Sequence, residues 1–403
     1  MRVMLSTYGS RGDVAPLVGL AAALRTHEAE VLVSAPPDDE FERMLDAVGA
    51  ELVPIGRSAR ELLAEVTPGS ATDARRVAAA LVEMRLDMVD TAAGCDALLA
   101  TGLPPAGARE AAERLGIPYV FAAFVPGFLP SPHHAPPRLP GKPFPPDADN
   151  RAKWNVYAEN LRALYGEPLN AGRASLGLPP VDDLVGHVFT DRPWLAADPV
   201  LAPSPEAPGF DVVQTGAWLV PDERPLPQEV EAFLDAGEPP VYVGFGSMPG
   251  HVLKETGEAA VRAVRARGRR VLVSRGWAEL ASADGADDCL AIGETDHRAL
   301  FRRVAAVVHH GGAGTTTTAA AAGAPQIVVP QMGDQPYWSR RVSELGIGVG
   351  CDDPAPTFET LSAALEAALR PETGEQAAAV AARVRTDGAA EAARLLVERV
   401  GSR

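Results

Sequence analysis

Short runs of β-branched residues alternate with alanine- and leucine-rich stretches of helical length along most of this 403-residue chain. Such alternation is typical of parallel sheets that are covered by helices on both faces. The sequence therefore predicts an α/β fold. The predicted strands of the two halves are residues 3–7, 30–35, 51–55, 97–101, 119–123, 241–245, 270–274, 289–292, 306–310, 326–329 and 346–350.

The length of the chain exceeds one ordinary hydrophobic core, so two domains are expected. Residues 198–210 contain four prolines and suit an exposed connector between the halves. We place an N-terminal domain at residues 1–205, a second domain at 206–385 and a final helix at 386–403, which Asp387 can cap. This last helix is expected to return to the first domain.

The charge balance excludes several classes of partner. Lys and Arg number 37 against 53 Asp and Glu, which gives a net charge of −16 and makes nucleic acid and membrane insertion unexpected. Three widely spaced cysteines predict no disulfide framework and no zinc site. No stretch is apolar for long enough to span a membrane, and residues 1–13 do not resemble a signal peptide, so a cytoplasmic location is expected.

The most informative segment is residues 305–335, in which a strand leads into a glycine loop and then a helix. Glycines let the backbone approach a ligand closely, and the N–H groups at the start of the helix attract anions. A diphosphate is the expected ligand, and a plain tight turn with a helix cap is the alternative. The expected donors are His310, Gly311, Gly312, Ala313, Gly314, Thr315 and Thr316.

A second strand in this segment ends near Pro330 and is followed by Asp334 and Gln335. Open α/β sheets bind ligands at the carboxyl edge of their strands. A carboxylate beside an amide can accept and donate hydrogen bonds to sugar hydroxyls. The pair therefore predicts a sugar site, with a helix cap as the alternative.

In the first half, residues 7–24 again run from a strand through a glycine loop into an amphipathic helix. The glycine spacing does not fit the dinucleotide-binding fingerprint. Asp13 stands at the start of the helix, either as a capping carboxylate or as a base that takes the proton from an acceptor hydroxyl. Ser10, Arg11 and Gly12 share this loop and are expected near a diphosphate leaving group.

The strand, His-Gly loop, helix and Asp334-Gln335 pair resemble the donor-binding signature of UDP-sugar and dTDP-sugar glycosyltransferases. The opening TYGSRGD resembles the glycosyltransferases that decorate vancomycin-type glycopeptide antibiotics. Further motifs extend this likeness over nearly the whole chain, namely SLGLPPVDD, AADPVLAP, QTGAWLVPDERPLP, YVGFGS, SRGWAEL and TDGAAEAARLL.

This resemblance implies a GT-B fold, with two Rossmann-like doubly wound domains facing a cleft. Residues 1–205 would bind the acceptor and residues 206–385 the nucleotide sugar. By the same resemblance Asp13 is the catalytic base, the His310 loop holds the diphosphate, and Asp334 and Gln335 hold the donor sugar. Further donor contacts that it implies are Gly246, Ser247 and Arg275. Glu294 and His297 are weaker candidates, in a loop that contacts the nucleobase in similar proteins.

The implied reaction is an inverting transfer of a hexose-type sugar to a hydroxyl of a glycopeptide aglycone or pseudoaglycone. Plant members of the wider family place a ribose-binding glutamate eight residues beyond the loop histidine, where this chain has Thr318. This difference favours a dTDP-sugar, and UDP stays open because a hydroxyl or water can replace the carboxylate. No cofactor beyond the nucleotide sugar and no metal is expected, since Asp147 and Asp149 form the only DxD pattern and lie in a proline-rich loop.

The proline-rich stretch at residues 125–150 is longer than most connections, which predicts a mobile or functional loop near the acceptor without a helix. His133 and His134 are interpreted as loop surface or acceptor contacts. Four aromatic residues can stack on an acceptor, although core packing is the alternative for each of them: Phe124, Phe128, Trp154 and Tyr157.

Other functions stay open at this stage. A glycosyltransferase that acts on a macrolide or a sterol is the nearest alternative. A nonhydrolysing nucleotide-sugar epimerase shares the two-domain architecture and needs no acceptor. A nucleotide-sugar-binding protein without catalysis is a further alternative, which the presence of Asp13 argues against.

Overall fold

The structure is a computed structural model that describes residues 1–58, 61, 71–102, 104–204, 206–221, 224–246, 250–274 and 287–402. Within these ranges the chain divides into two compact units. The first unit comprises Met1–Ala197, Pro203–Val220 and Asp387–Arg403. The second comprises Asp198–Ala202 and Pro221–Thr386.

The first unit is built on a parallel sheet whose strands follow the order β3-β2-β1-β4-β5-β6-β7. Leu5 on the central strand β1 pairs with Val33 on one side and Leu99 on the other. The strands are β1 (Arg2–Ser6), β2 (Glu30–Ala35), β3 (Glu51–Pro54), β4 (Ala97–Thr101), β5 (Tyr119–Ala123), β6 (Trp194–Leu195) and β7 (Val213–Gln214).

The second unit is built on a second parallel sheet, in the order β10-β9-β8-β11-β12-β13. Val308 on β11 pairs with Val243 on one side and Ile327 on the other. The strands are β8 (Val241–Gly244), β9 (Val271–Ser274), β10 (Cys289–Ile292), β11 (Ala306–His309), β12 (Gln326–Val328) and β13 (Gly348–Gly350).

Helices follow most of the strands. In the first unit they are Arg11–Arg25, Asp39–Asp46, Ala71–Leu86, Met88–Thr91, Ala108–Leu115, Asn150–Ser175, Leu184–Phe189 and Gly388–Gly401, with a 3-10 turn at Pro126–Phe128. In the second unit they are Gln228–Asp235, Gly250–Ala266, His297–Leu300, Ala313–Ala321, Gln335–Glu344, Phe358–Ala368 and Pro371–Ala381, with a 3-10 turn at Phe301–Arg303. Across the described ranges, no helix is both long and apolar enough to cross a membrane.

The strands β8, β9 and β11 of the second sheet bury both of their faces. Val241 and Val243 pack into one apolar cluster, whereas Tyr242 between them packs into another on the opposite face. This alternation follows from the two-residue repeat of a strand. It explains why the sequence of such strands is continuously apolar, which is the pattern that predicted a parallel α/β fold.

The final helix Gly388–Gly401 packs in the core of the first unit. Ala392 and Leu396 share an apolar cluster with Leu17 and Leu20 of the first helix. The helix begins after Asp387 as the sequence suggests, but the side chain of Asp387 makes no capping hydrogen bond.

The division of the chain differs from the sequence-based boundary at residue 205. Val213 and Gln214 form the edge strand β7 of the first sheet, and Trp218 is buried in the first core. The first unit therefore continues to Val220. The α/β class and the strands of both halves are confirmed, whereas the two-residue strands β6 and β7 were not predicted.

Candidate functional site

Both sheets reverse their strand order at one point, between β1 and β4 in the first and between β8 and β11 in the second. Open parallel sheets bind ligands beyond the carboxyl ends of the strands at such a switch point. The loop with Asp13 follows β1, and the loop with His310 follows β11. The segments that the sequence analysis selected therefore emerge at the two switch points.

Two glycines shape the loop after β11. Gly311 has a φ of +89°, and a Cβ added there would lie 2.7 Å from Val328 Cγ1 and 3.2 Å from the carbonyl oxygen of Gln335. A Cβ at Gly312 would lie 2.7 Å from His310 Nε2. Larger residues would displace the loop or the imidazole, so the close packing requires glycine at both positions.

The His310 side chain lies against this glycine loop and against Gly246, where an added Cβ would lie 3.0 Å from His310 Cε1. His310 Nδ1 is buried and, among the residues that the structure describes, has no hydrogen-bond partner. Burial lowers the pKa of the imidazole to about 4. His310 is therefore neutral at neutral pH and holds one ring nitrogen ready for a ligand.

The helix Ala313–Ala321 begins at Gly312, which has no side chain with which to cap it. The first N–H groups of a helix have no partner inside the helix and point along its positive dipole end. Gly314 in the first turn is exposed, and a Cβ added there would meet no atom within 4 Å. This end of the helix is shaped for an anion.

The two threonines of this turn differ. Thr315 is half-buried at the start of the helix. Thr316 is buried, and its hydroxyl donates to the carbonyl oxygen of Gly312 at 2.9 Å. The donor role that the sequence analysis gave to the Thr316 hydroxyl is therefore replaced by a bond within the helix.

Two buried side chains that the sequence analysis did not select brace the same loop. His309 Nδ1 accepts a hydrogen bond from Gly311 N at 3.0 Å, and His309 Nε2 lies 2.9 Å from Gln326 Oε1. Both side chains are completely buried. The doubled histidine at 309–310 was the available signal, but only its second member was considered.

Asp334 and Gln335 lie beside this loop, because Gly311 packs on the backbone of Gln335. Asp334 Oδ2 accepts a hydrogen bond from Trp338 Nε1 at 2.8 Å, and burial raises the pKa of the carboxyl. Gln335 Oε1 accepts from the backbone N–H groups of Gln331 and Met332 at 2.7 and 3.1 Å. Each side chain thus already makes hydrogen bonds within the protein, and the sugar contacts stay predictions.

The two nucleobase candidates, Glu294 and His297, follow β10. Glu294 is exposed in the loop after β10. His297 stacks on Phe301 with ring centroids 4.8 Å apart, and its Nε2 lies 3.1 Å from the Tyr242 hydroxyl. The predictions for Ser247 and Arg275 lie outside the described residues.

Asp13 occupies the third position of the first helix, where its carboxylate closes the loop after β1. Asp13 Oδ2 accepts a hydrogen bond from Ser10 N at 2.8 Å and lies 3.4 Å from the Ser10 hydroxyl. A Cβ added at Gly9 or at Gly102, the residue after β4, would lie 2.1 Å from Oδ2 or 3.6 Å from Oδ1. Asp13 is thus a capping carboxylate placed at the switch point of the first sheet.

The neighbours of Asp13 are engaged in local bonds. The Ser10 hydroxyl accepts from Gly12 N at 3.3 Å, which completes a capping box with Asp13. Arg11 Nη1 lies 2.6 Å from Glu40 Oε1. The geometry gives these three residues structural partners, and their contact with a leaving group stays a prediction.

Comparison with known proteins gives the family. Residues 292–397 match the family described as erythromycin biosynthesis protein CIII-like, C-terminal domain. The chain is 54% identical over 406 residues to glycosyltransferase GtfE of Amycolatopsis orientalis, covering 100% of this chain and 98% of the relative. It is 52% identical to the vancomycin aglycone glucosyltransferase of the same organism, covering 99% and 98%.

This chain is a glycosyltransferase of the vancomycin-type glycopeptide antibiotic family. Its fold is also similar to the solved structure of glycosyltransferase VinC in complex with dTDP, with a TM-score of 0.68 at 22% identity over 100% of both chains. The predicted GT-B fold is thereby confirmed, with two Rossmann-like parallel-sheet units. At this identity the likeness to VinC shows the fold alone.

In this glycosyltransferase the proline-rich stretch at residues 125–150 is tied to the helix that follows it. Lys142 N donates to Asn160 Oδ1 at 2.8 Å, and Asn160 Nδ2 donates back to the Lys142 carbonyl at 2.9 Å. Contrary to the prediction, the stretch contains one helical turn, Pro126–Phe128. Its part in acceptor binding stays a prediction.

Side chains around this stretch favour the structural alternatives. Trp154 and Tyr157 are buried, with ring centroids 5.1 Å apart, so both pack in the core. Phe124 packs edge-on against the buried Trp218. Asp149 Oδ1 accepts from Ala152 N and so caps the helix Asn150–Ser175, which gives half of the DxD pattern a structural task.

Proposed function

We propose that this glycosyltransferase moves a hexose-type sugar from a dTDP-sugar to a hydroxyl of a glycopeptide antibiotic aglycone or pseudoaglycone, with inversion. The observation that carries the proposal is the start of the helix Ala313–Ala321, which has no side-chain cap, beside His310 Nδ1, which has no hydrogen-bond partner in the described parts of the chain. The identity of 52% with the vancomycin aglycone glucosyltransferase supports the acceptor class. The cytoplasmic location stays a prediction.

The donor diphosphate binds at the start of the helix Ala313–Ala321. Backbone N–H groups of the first turn and the Nδ1–H form of neutral His310 donate to its oxygens. Gly314 leaves open space at this point. Asp334 and Gln335 bind the donor sugar, and Gly246, Ser247, Arg275 and Glu294 are further donor contacts.

Thr318 favours dTDP over UDP as the nucleotide. A ribose 2′-hydroxyl needs a hydrogen-bond partner in a buried site, and a 2′-deoxyribose does not. Thr318 has a shorter side chain than the glutamate that plant members place there. We therefore expect tighter binding of dTDP, with UDP as the weaker alternative.

Asp13 acts as the base. The acceptor O–H proton moves to the carboxylate, and the acceptor oxygen forms a bond to the anomeric carbon of the sugar. The bond from that carbon to the diphosphate oxygen breaks, and the electron pair leaves with the nucleoside diphosphate. One displacement inverts the anomeric centre. The hydrogen bond from Ser10 N to Oδ2, at 2.8 Å, holds the carboxylate for this step.

We propose that the reaction requires neither a metal nor a further cofactor. The departing diphosphate gains negative charge as the sugar leaves. Preorganised N–H donors at a helix start stabilise such charge without reorganising. The helix Ala313–Ala321 and His310 provide those donors in this chain.

A product screen by mass spectrometry tests the proposal. Each of several dTDP- and UDP-sugars is incubated, in EDTA, with a crosslinked heptapeptide aglycone, a macrolactone or no acceptor. We expect a glycosylated heptapeptide with dTDP-sugars, and NMR of its anomeric proton reports inversion. Transfer only to the macrolactone would contradict the acceptor class, and C2 epimerisation without acceptor would replace transfer by epimerisation. Complete loss of activity in EDTA, restored by magnesium, would contradict metal independence.

A further inference from the structure

The orientation of the peptide between His310 and Gly311 determines which backbone groups of the His310 loop face a ligand. Gly311 has a φ of +89°, and glycine adopts either sign of φ at little cost. The loop sequence therefore does not fix by itself which way the Gly311 N–H points. In the structure this N–H points to His309 Nδ1, 3.0 Å away. A flip of this peptide would reverse the directions of the Gly311 N–H and of the His310 carbonyl oxygen.

His309 and Gln326 continue this bond as a relay. His309 accepts at Nδ1 only when its proton is on Nε2, and Nε2 lies 2.9 Å from the acceptor Gln326 Oε1. Gln326 Nε2 in turn donates to the Thr316 carbonyl at 3.3 Å. A reversed amide would set N–H against N–H, so the bonds agree in one arrangement. The relay joins the loop at Gly311 to the first helical turn at Thr316.

The sheet places the two members of the relay side by side. Val307 on β11 pairs with Gln326 on β12, and His309 pairs with Val328, so both side chains leave the same face as diagonal neighbours. Both are completely buried. A buried polar pair costs free energy unless every group is bonded. Apolar residues would fill this space equally well if packing were the only requirement.

Burial also keeps His309 neutral. It lowers the pKa of the imidazole to about 3, and the titratable groups that act on it are the neighbouring His310 and His297, with Gln326 as its uncharged partner. A protonated ring would carry a hydrogen on Nδ1 and oppose the Gly311 N–H. The neutral state therefore preserves the relay across the pH range in which the enzyme would work.

We propose that His309 and Gln326 are positioning residues for the nucleoside diphosphate. Through the relay from Gly311 to Thr316 they hold one orientation of the loop, in which His310 and the start of the helix Ala313–Ala321 donate to the same diphosphate. This role rests on the proposed function of that site. Neither residue touches the ligand itself.

The test compares His309→Asn with His309→Leu. Both variants break the bond to Gln326, but only asparagine keeps a carbonyl oxygen near the position of Nδ1 that can accept from Gly311 N. Calorimetry should give a dTDP Kd about 10-fold weaker for the leucine variant than for the asparagine variant. The melting temperature should show the opposite order or no difference, because leucine suits a buried position better.

A purely structural role for His309 predicts a different result, in which dTDP affinity follows the melting temperature. Equal affinity in the two variants, or tighter binding by the leucine variant, would overturn the proposal. If the wild type binds neither dTDP nor UDP, the proposed function fails. If the wild type binds and both variants bind equally well, only the relay fails.

A measurement on the wild type covers the case in which both variants unfold. In protein labelled with 15N, a scalar coupling across the N–H···N bond from Gly311 identifies the His309 ring. We expect the neutral Nε2–H form, with no titration between about pH 5 and 9. Absence of the coupling, an Nδ1–H form or titration in this range would refute the relay.

Discussion

The two turns that lead from a switch-point strand into a helix differ in how they cap the N-terminus of that helix. At the first, the Ser10 hydroxyl accepts from Gly12 N, and Asp13 Oδ2 accepts from Ser10 N. At the second, Gly312 stands at the cap position and contributes no side chain. The first helix thus satisfies part of its own positive end with side chains, whereas the second has no side-chain cap at that end.

The two turns have similar backbone shapes, but this difference in capping suits them to different chemistry. A capping box fixes a carboxylate at the first switch point, where it can accept a proton. At the second switch point the bare helix start donates through its N–H groups, and a neutral histidine can donate through one ring nitrogen, which suits a diphosphate. Side-chain capping therefore separates a base site from an anion site more reliably than glycine content does.

The largest expected effect is that of Asp13→Asn. Asparagine keeps an oxygen for Ser10 N, so the turn should persist, but its amide cannot take the acceptor proton. We expect kcat to fall on the order of 1000-fold while dTDP affinity stays unchanged. Steady-state kinetics and calorimetry measure the two quantities, with Asp39→Asn, an exposed carboxylate of the next helix, as the control. Unchanged kcat would remove Asp13 as the base.

The second expected effect comes from capping the second helix as the first one is capped. In Gly312→Asp, the new carboxylate should accept the helix N–H groups and repel the diphosphate, so that dTDP affinity falls about 100-fold. Gly312→Ala is the control, because it brings the same Cβ, 2.7 Å from His310 Nε2, without the charge.

Between Gly312→Asp and Gly312→Ala, we expect stability and dTDP affinity to change in opposite directions. The aspartate variant should resist denaturant better than the alanine variant, by about 1 kcal/mol, and yet bind dTDP about 10-fold more weakly. Equal binding by the two variants would mean that the helix start does not hold the diphosphate.

A smaller effect is expected from His310→Ala. Loss of one hydrogen bond to a charged oxygen should weaken dTDP binding about 10-fold in calorimetry. The exposed His27 provides the control variant His27→Ala. An unchanged Kd would separate His310 from the diphosphate and leave the helix start as the remaining candidate.

His310 also predicts how stability depends on pH. Because its pKa is lowered to about 4, the unfolded chain binds a proton below about pH 6.5 that the folded chain does not. The stability that neutral His310 contributes is therefore complete above that pH and is lost as the pH falls towards 4. The wild type should therefore lose more melting temperature between pH 7.5 and 5 than His310→Ala does. Equal losses would show that the ring titrates normally.

The strands and the glycine loops could be predicted because their information is local. Apolar runs of the right length marked the buried strands, and the glycines after β11 marked a loop in which the backbone packs closely against its neighbours. The strands Trp194–Leu195 and Val213–Gln214 could not be predicted in this way. Two residues carry no periodicity, and these strands are defined by pairing alone, since β6 pairs with the edge of β5 and β7 pairs with β6.

The site shows the same limit. Residue types selected Asp13 and His310 as candidates, and their ligand contacts stay predictions. Their neighbours were also assigned to the ligand, because a single sequence does not show partners that are distant along the chain. Arg11 contacts Glu40, and His309 reaches Gln326 on the adjacent strand. Such contacts depend on register and packing, which a single sequence does not give. The structure adds them and shows which of the candidate side chains already bond within the protein.

The smallest expected effect tests the first turn. Ser10→Ala removes the hydroxyl that accepts from Gly12 N, which should lower the free energy of unfolding by about 1 kcal/mol in a denaturant titration. If the hydroxyl only caps the helix, dTDP affinity stays at the wild-type value and kcat changes little, because Asp13 still accepts from Ser10 N. If Ser10 also steadies the leaving group, as its sequence pattern predicts, kcat falls at least about 10-fold without a matching loss of stability. That second result would give the first turn a donor role and remove the contrast between the two helix starts.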